Sequence, residues 1–185
     1  MIKIPFPNMA LNDVALDAAA APRMFNTRIV QKGDEPFWLL TNVKLIAGGA
    51  PGGKIRGLVI HCHGVVSSAG GAFSGLSLGT GISIDDLKHF TIIRGVVERI
   101  YIDACQAAAG SSGQRFCKKM AKAAEAVVYA ADTDQKTSVA DYQFLFKGGV
   151  IDGFEGQIWR FDKEGNARRT APTPADNSGL SDLLD

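Results

Sequence analysis

Apolar positions along the chain come in short runs bounded by glycine, proline and polar clusters. "IRGLVIHC" (55–62), "VVERIYIDA" (96–104) and "AVVYAAD" (126–132) are compact apolar runs rich in β-branched residues. That is the pattern of strands buried on both faces of a parallel sheet. "FWLLTNVKLIA" (37–47) also carries strand-forming residues and is read as a further strand. The period changes in "SSGQRFCKKMAKAAEA" (111–126), where Phe116, Cys117, Met120 and Ala124 share one face of a helix and Lys118, Lys119 and Lys122 lie largely on the other. "IDDLKHFTIIRG" (84–95) reads as a second helix, with Ser83 as its N-cap, Asp86 three positions on, and its end near Gly95. Residues 64–81 carry Gly64, Gly70, Gly71, Gly75, Gly79 and Gly81 and read as one long loop.

The middle of the chain is therefore strand, loop, helix, strand, helix, strand. Such alternation predicts parallel strands joined by helical crossovers, with helices on both faces of the sheet. Towards the end, "FEGQIWRF" and "NARRTA" flank the turn "DKEG" and read as a hairpin. Residues 1–35 form an N-terminal extension without a clear pattern, and 171–185 a polar tail. With 185 residues, no internal repeat and no linker, one domain over 1–185 is expected.

Composition narrows the function classes. Hydrophobic residues make up 46% and charged residues 21%, and the net charge is +1. Neither nucleic acid nor an anionic membrane is expected as a partner. No apolar stretch is long enough to span a bilayer. Asp13 and Asp17 interrupt any signal-peptide core, which points to the cytoplasm or to export by a route without such a signal. The odd count of three cysteines argues for reduced thiols rather than a disulfide framework.

Candidate chemistry collects where the apolar runs stop. Ligands of open parallel sheets bind beyond the carboxyl ends of the strands. The runs end in His61-Cys62-His63-Gly64, in Asp103-Ala104-Cys105-Gln106 and in Asp132-Thr133-Asp134-Gln135. If the first two strands are neighbours, an imidazole and a thiol meet at one sheet edge, and a thiol becomes a nucleophile when an imidazole takes its proton. The competing reading makes Cys105 a small core residue. A zinc site on His61 and His63 needs a third ligand, for which Cys105 or Asp103 would serve. "GLSLG" (75–79) matches a serine-nucleophile pattern but lacks the strand before the serine and a late histidine beyond His89. The glycine-rich loop lacks the G-K-[ST] ending of a phosphate-binding loop.

"LVIHCHG" followed by "RIYIDACQAA" resembles the caspase-like superfamily of cysteine peptidases: an apolar strand ending in His-Gly, then one ending in a short motif with Cys. "DAC", and "AADTDQKTSVAD" (130–141) after the next strand, are similar to the metacaspase branch. The resemblance spans roughly residues 55–141. It implies a caspase-like three-layer α/β fold with a mostly parallel central sheet, helices on both faces and a C-terminal hairpin. It implies a cysteine endopeptidase with His63 as general acid and base and Cys105 as nucleophile. The N–H groups of Gly64 and Cys105 would form the oxyanion hole, and Asp103 would line a pocket for a basic P1 side chain. Asp132 and Asp134 are added to that pocket because they are acidic residues at the next strand exit. No cofactor and no metal are implied; the partner is a protein or peptide substrate. "QAA" after the cysteine, inserted residues in 130–141 and a short stretch beyond 141 depart from the metacaspase pattern. His61 is read as structural. The alternatives are a catalytically silent binding protein of the same fold, and a metal-dependent hydrolase using His61 and His63.

Overall fold

"GLVIH" carries no formal charge, and it forms a fully enclosed strand: β4 (Gly57–His61) is buried at all five positions. In the computed structural model, which describes residues 2–16, 22–68, 71–135, 149–151 and 153–170, β4 lies inside a seven-stranded sheet, between β8 and β2. The strands, in chain order, are β2 (Asn8–Asp13), β3 (Asn26–Val30), β4, β8 (Arg99–Asp103), β9 (Val127–Ala131), β11 (Ile158–Phe161) and β12 (Ala167–Arg169). In space the order is β12-β11-β9-β8-β4-β2-β3. β3, β2, β4, β8 and β9 run parallel, and the β11–β12 hairpin closes one edge with β11 antiparallel to β9. A short ribbon of β1 (Ile2–Lys3) with β10 (Val150–Ile151) and a three-stranded sheet of β5 (Gly64–Val66), β6 (Phe73–Leu76) and β7 (Ile82–Ser83) complete the strands.

The expected mixed α/β architecture, the strands at 57–61, 99–103 and 127–131, and the terminal hairpin are all present. Four expectations are corrected. Residues 37–47 are not a strand: they lie in α1 (Pro36–Gly49). Pro36 occupies the first turn, where its missing N–H costs nothing, and Leu39, Leu40, Val43 and Ala47 are buried at helical spacing. The supposed loop over 64–81 contains β5 and β6. The unassigned N-terminal stretch supplies β2, buried at all six positions, next to β4. The 84–95 helix is a 3-10 helix over Asp86–Ile93 whose N-cap is Asp85 rather than Ser83; Ser83 instead donates to Asp86 Oδ2 from both N (2.9 Å) and Oγ (2.6 Å) just ahead of it. α2 (Gly110–Ala124) buries Phe116, Cys117, Met120 and Ala124 as its pattern predicts.

Among the described residues, the helices pack on one face of the sheet. Met9, Leu11, Leu58, Ile60, Ile100, Ile102, Val128 and Ala130 point to that side, and α1, the 3-10 helix and α2 cover them. Strand order explains this. From β3 the chain moves steadily in one direction to β4, β8 and β9, and right-handed crossovers in one direction lie on one face. The opposite face carries Ala10, Val59, Tyr101 and Tyr129, with the Tyr101 and Tyr129 rings stacked at 5.2 Å, and the ribbon residues Ile2 and Ile151 pack there. Among the described residues no helix covers that second face, where the sequence led one to expect helices; residues 136–141 of the "AADTDQKTSVAD" stretch and the 171–185 tail lie outside the described residues. Among those residues, no helix is long and apolar enough to cross a membrane.

Candidate active site

β4 and β8 are adjacent and parallel, with His61 opposite Asp103. That register carries the two exits forward side by side. Cys62 N–H donates to the Asp103 carbonyl (3.2 Å), and the next residues of each strand, His63-Gly64 and Cys105, leave the sheet together. Gly64 lies so close to Cys105 that a Cβ on it would collide with the Cys105 carbonyl. Only glycine fits there, so the two exits are packed backbone to backbone. His63 is exposed and Cys105 half-buried. The His63 carbonyl is held by Ser77 N–H at 3.0 Å, which anchors the small sheet behind the histidine.

Cys105 is followed by a residue in an uncommon conformation. Gln106 has φ +56°, in the left-handed region that non-glycine residues seldom adopt. Its backbone is fixed by N–H donation to Thr133 O (2.8 Å) and its side chain by donation from Nε2 to Asp134 Oδ1 (2.9 Å). The bend turns the Cys105 side chain towards the β9 exit, where Gln135 N–H is directed at Cys105 Sγ (3.4 Å). Gln135 is itself tied across to Glu155, accepting its N–H at Oε1 (3.0 Å).

The two histidines do not share one environment. β4 ends at His61, so the extended geometry that would place both on one face stops before His63. His61 is 1% exposed. Its Nδ1 donates to Asn12 Oδ1 (2.6 Å), because the Asn12 amide nitrogen is committed to the Asp13 carbonyl (3.2 Å). Its Nε2 lies 3.7 Å from Asp103 Oδ2, beyond hydrogen-bond reach. Burial, and secondarily a charge on His63, pushes the His61 pKa down to about 4. His61 is thus a neutral, structural imidazole, as its sequence reading anticipated, held by a side chain of the neighbouring strand β2. Burial pushes the Cys62 and Cys117 thiols well up, Cys62 further through nearby carboxylates.

The acidic residues divide. Asp103 sits beside the His63 and Cys105 exits, with its side chain 15% exposed. Asp132 is turned to the hairpin, accepting from Gln157 N–H (3.0 Å) and Trp159 Nε1 (3.4 Å). Asp134 holds the Gln106 side chain. Sequence reasoning did not find Asn12, Asp13 or Gln135. Asp13 accepts N–H groups of Ala15 (2.8 Å) and Gly79 (3.3 Å), pinning the small sheet to the end of β2. Their only signal was polarity at the end of an apolar stretch. Among the described residues, no three His, Cys, Asp or Glu side chains are grouped to hold a metal ion.

Fold and site together define an α/β protein with a mostly parallel sheet and a histidine-and-cysteine pair of loops at its carboxyl edge. No protein-family model matches this sequence, and no curated protein matches it either.

Proposed function

We propose that this protein is a cysteine endopeptidase of the caspase-like type, nearest in its motifs to metacaspases. The observation that carries the reading is the contact of Gly64 with the Cys105 backbone, which makes the His63 and Cys105 loops immediate neighbours. Two parallel strands ending side by side, one in His-Gly and the other in Asp-x-Cys, support it further.

In this reading His63 takes the Cys105 proton. The thiolate attacks the scissile carbonyl carbon, and the N–H groups of Gly64 and Cys105 stabilise the oxyanion. Protonated His63 returns its proton to the leaving amine as the C–N bond breaks, leaving a thioester. Water, deprotonated by His63, then releases the acid and restores the thiol. Asp103 faces a basic P1 side chain through charge-assisted hydrogen bonds. Asp132 and Asp134 act indirectly, by holding the β9 exit and Gln106. The arginines that an acidic P1 would need are engaged elsewhere: Arg56 with Glu98 (3.4 Å), Arg94 with Glu125 (3.2 Å), and Arg99 with Glu98 (3.9 Å) at the start of β8.

A fluorogenic panel varying only P1 tests the assignment. Cleavage after arginine or lysine is expected, abolished in Cys105→Ala, with the basic preference weakened at least tenfold in Asp103→Asn. Cleavage by Cys105→Ala at the wild-type rate would sink the reading.

A further inference from the structure

The strand that follows His63 has an open edge. β5 pairs with β6 on one side only. Ser77 N–H donates to the His63 carbonyl (3.0 Å) and Ser67 N–H to the Ala72 carbonyl (2.8 Å), flanking the pairs Gly64↔Leu76 and Val66↔Phe73. In an antiparallel ladder, bonds at those flanking positions leave the enclosed pair non-hydrogen-bonded. The N–H and C=O groups of Gly64 and Val66 therefore point away from β6. Among the described residues, none of these groups is met by a partner. The edge is short, with a register shift against β6 between Val65 and Val66, but it carries no charge and no proline: "GVVSS" leaves Val65 and Val66 41% and 45% exposed. On the Val65 side lies a shallow depression of about 360 Å³ bordered by Gly75, Leu76, Ile82, Thr80, Ser83 and Asp86.

We infer that β5 is the docking strand for the substrate polypeptide downstream of the scissile bond. This rests on the cysteine-peptidase reading. The histidine that protonates the leaving amine must stand on the leaving-group side, and β5 runs outward from that histidine. If Gly64 N–H holds the P1 carbonyl oxygen, that bond is the first rung of a parallel ladder. The substrate then runs in the same direction as β5. Its P2′ residue falls opposite Val65, with its N–H donating to the Gly64 carbonyl and its carbonyl accepting from Val66 N–H. Main-chain pairing of this kind selects an extended, unfolded segment with little regard to its side chains. The exposed Val65 and Val66 favour apolar residues at P2′ and P3′.

The test compares two peptides identical through a P1 arginine and an apolar P1′ residue, one ending there as a dimethylamide and one continuing for two further apolar residues. The extended peptide should show a kcat/KM roughly tenfold higher, the yield of two added backbone hydrogen bonds. N-methylation of the P2′ amide should remove that gain. So should Val66→Pro, which deletes an N–H on the open edge without touching the β5–β6 ladder. Should Val66→Pro fail to fold, the N-methylated peptide on the unaltered protein decides alone. Equal kcat/KM for both peptides, or a gain that survives N-methylation, would overturn the ladder while Cys105-dependent cleavage of the short peptide leaves the peptidase reading standing. Cleavage of neither peptide would overturn both. Dimerisation that Val66→Pro abolishes would give the edge to a second copy of the chain and overturn the docking role.

Discussion

His61 and His63 are two residues apart and live in opposite surroundings. One is sealed at the last position of β4, hydrogen-bonded to Asn12 and discharged by burial; the other stands exposed on the first turn beyond the sheet. The difference arises from where the strand stops. Inside the ladder, a polar side chain must be satisfied by its neighbours, and it contributes to stability or costs it. One step outside, the same side chain is held only by its backbone and is available for chemistry. Residue type alone therefore says little about role; position relative to the final rung of the sheet says much more.

The sharpest way to break this contrast is to delete each imidazole in turn. His63→Ala should lower kcat/KM by roughly 10³-fold or more while leaving the unfolding midpoint nearly unchanged, since members of a catalytic pair act as a unit. His61→Ala should do the reverse. It leaves Asn12 buried without its partner and should cost about 1–3 kcal/mol of stability, with an activity loss under about tenfold. Denaturant unfolding and initial rates on the same preparations check both, and a reversed ranking would move the chemistry to His61.

A smaller effect sharpens the same contrast through pH. The His61 pKa is about 4 in the folded protein, against an ordinary 6.5. Between those values the unfolded chain takes up a proton that the folded protein does not. His61's neutral burial therefore supports the fold fully above pH 6.5, and that support is lost as the pH falls towards 4. At about 1.4 kcal/mol per pH unit the loss reaches roughly 3 kcal/mol. Unfolding free energies at pH 7 and pH 4.5 should drop more steeply for the wild type than for His61→Gln. Parallel slopes would mean that His61 titrates normally in the fold.

Much of this arrangement was readable before the fold was known. The apolar runs ending at His61, Asp103 and Ala131 stop where the hydrophobic surroundings stop, so strand ends and candidate chemistry coincide in the sequence itself. α2 was legible because lysines mark its outer face. α1 was not: Phe37, Trp38, Thr41 and Val43 favour strands locally, and helical burial of Leu39, Leu40, Val43 and Ala47 overrides that preference. β2 was hidden because Asn8, Asn12 and Asp13 look like loop residues until their buried hydrogen bonds are seen. The contact of Gly64 with Cys105 was beyond reach for another reason. It depends on the register of two strands distant in sequence, which no local pattern encodes.

The proposed chemistry needs Cys105 to be the reactive thiol and His63 to activate it. An arginyl peptide acyloxymethyl ketone, incubated with native protein and followed by peptide mapping, tests it most directly. The account predicts label on Cys105 alone, sharply slowed in His63→Ala and little changed in His61→Ala, because the Cys62 and Cys117 thiols are buried with pKa values pushed up. Label on Cys62 or Cys117, or labelling of Cys105 at the same rate without His63, would contradict it.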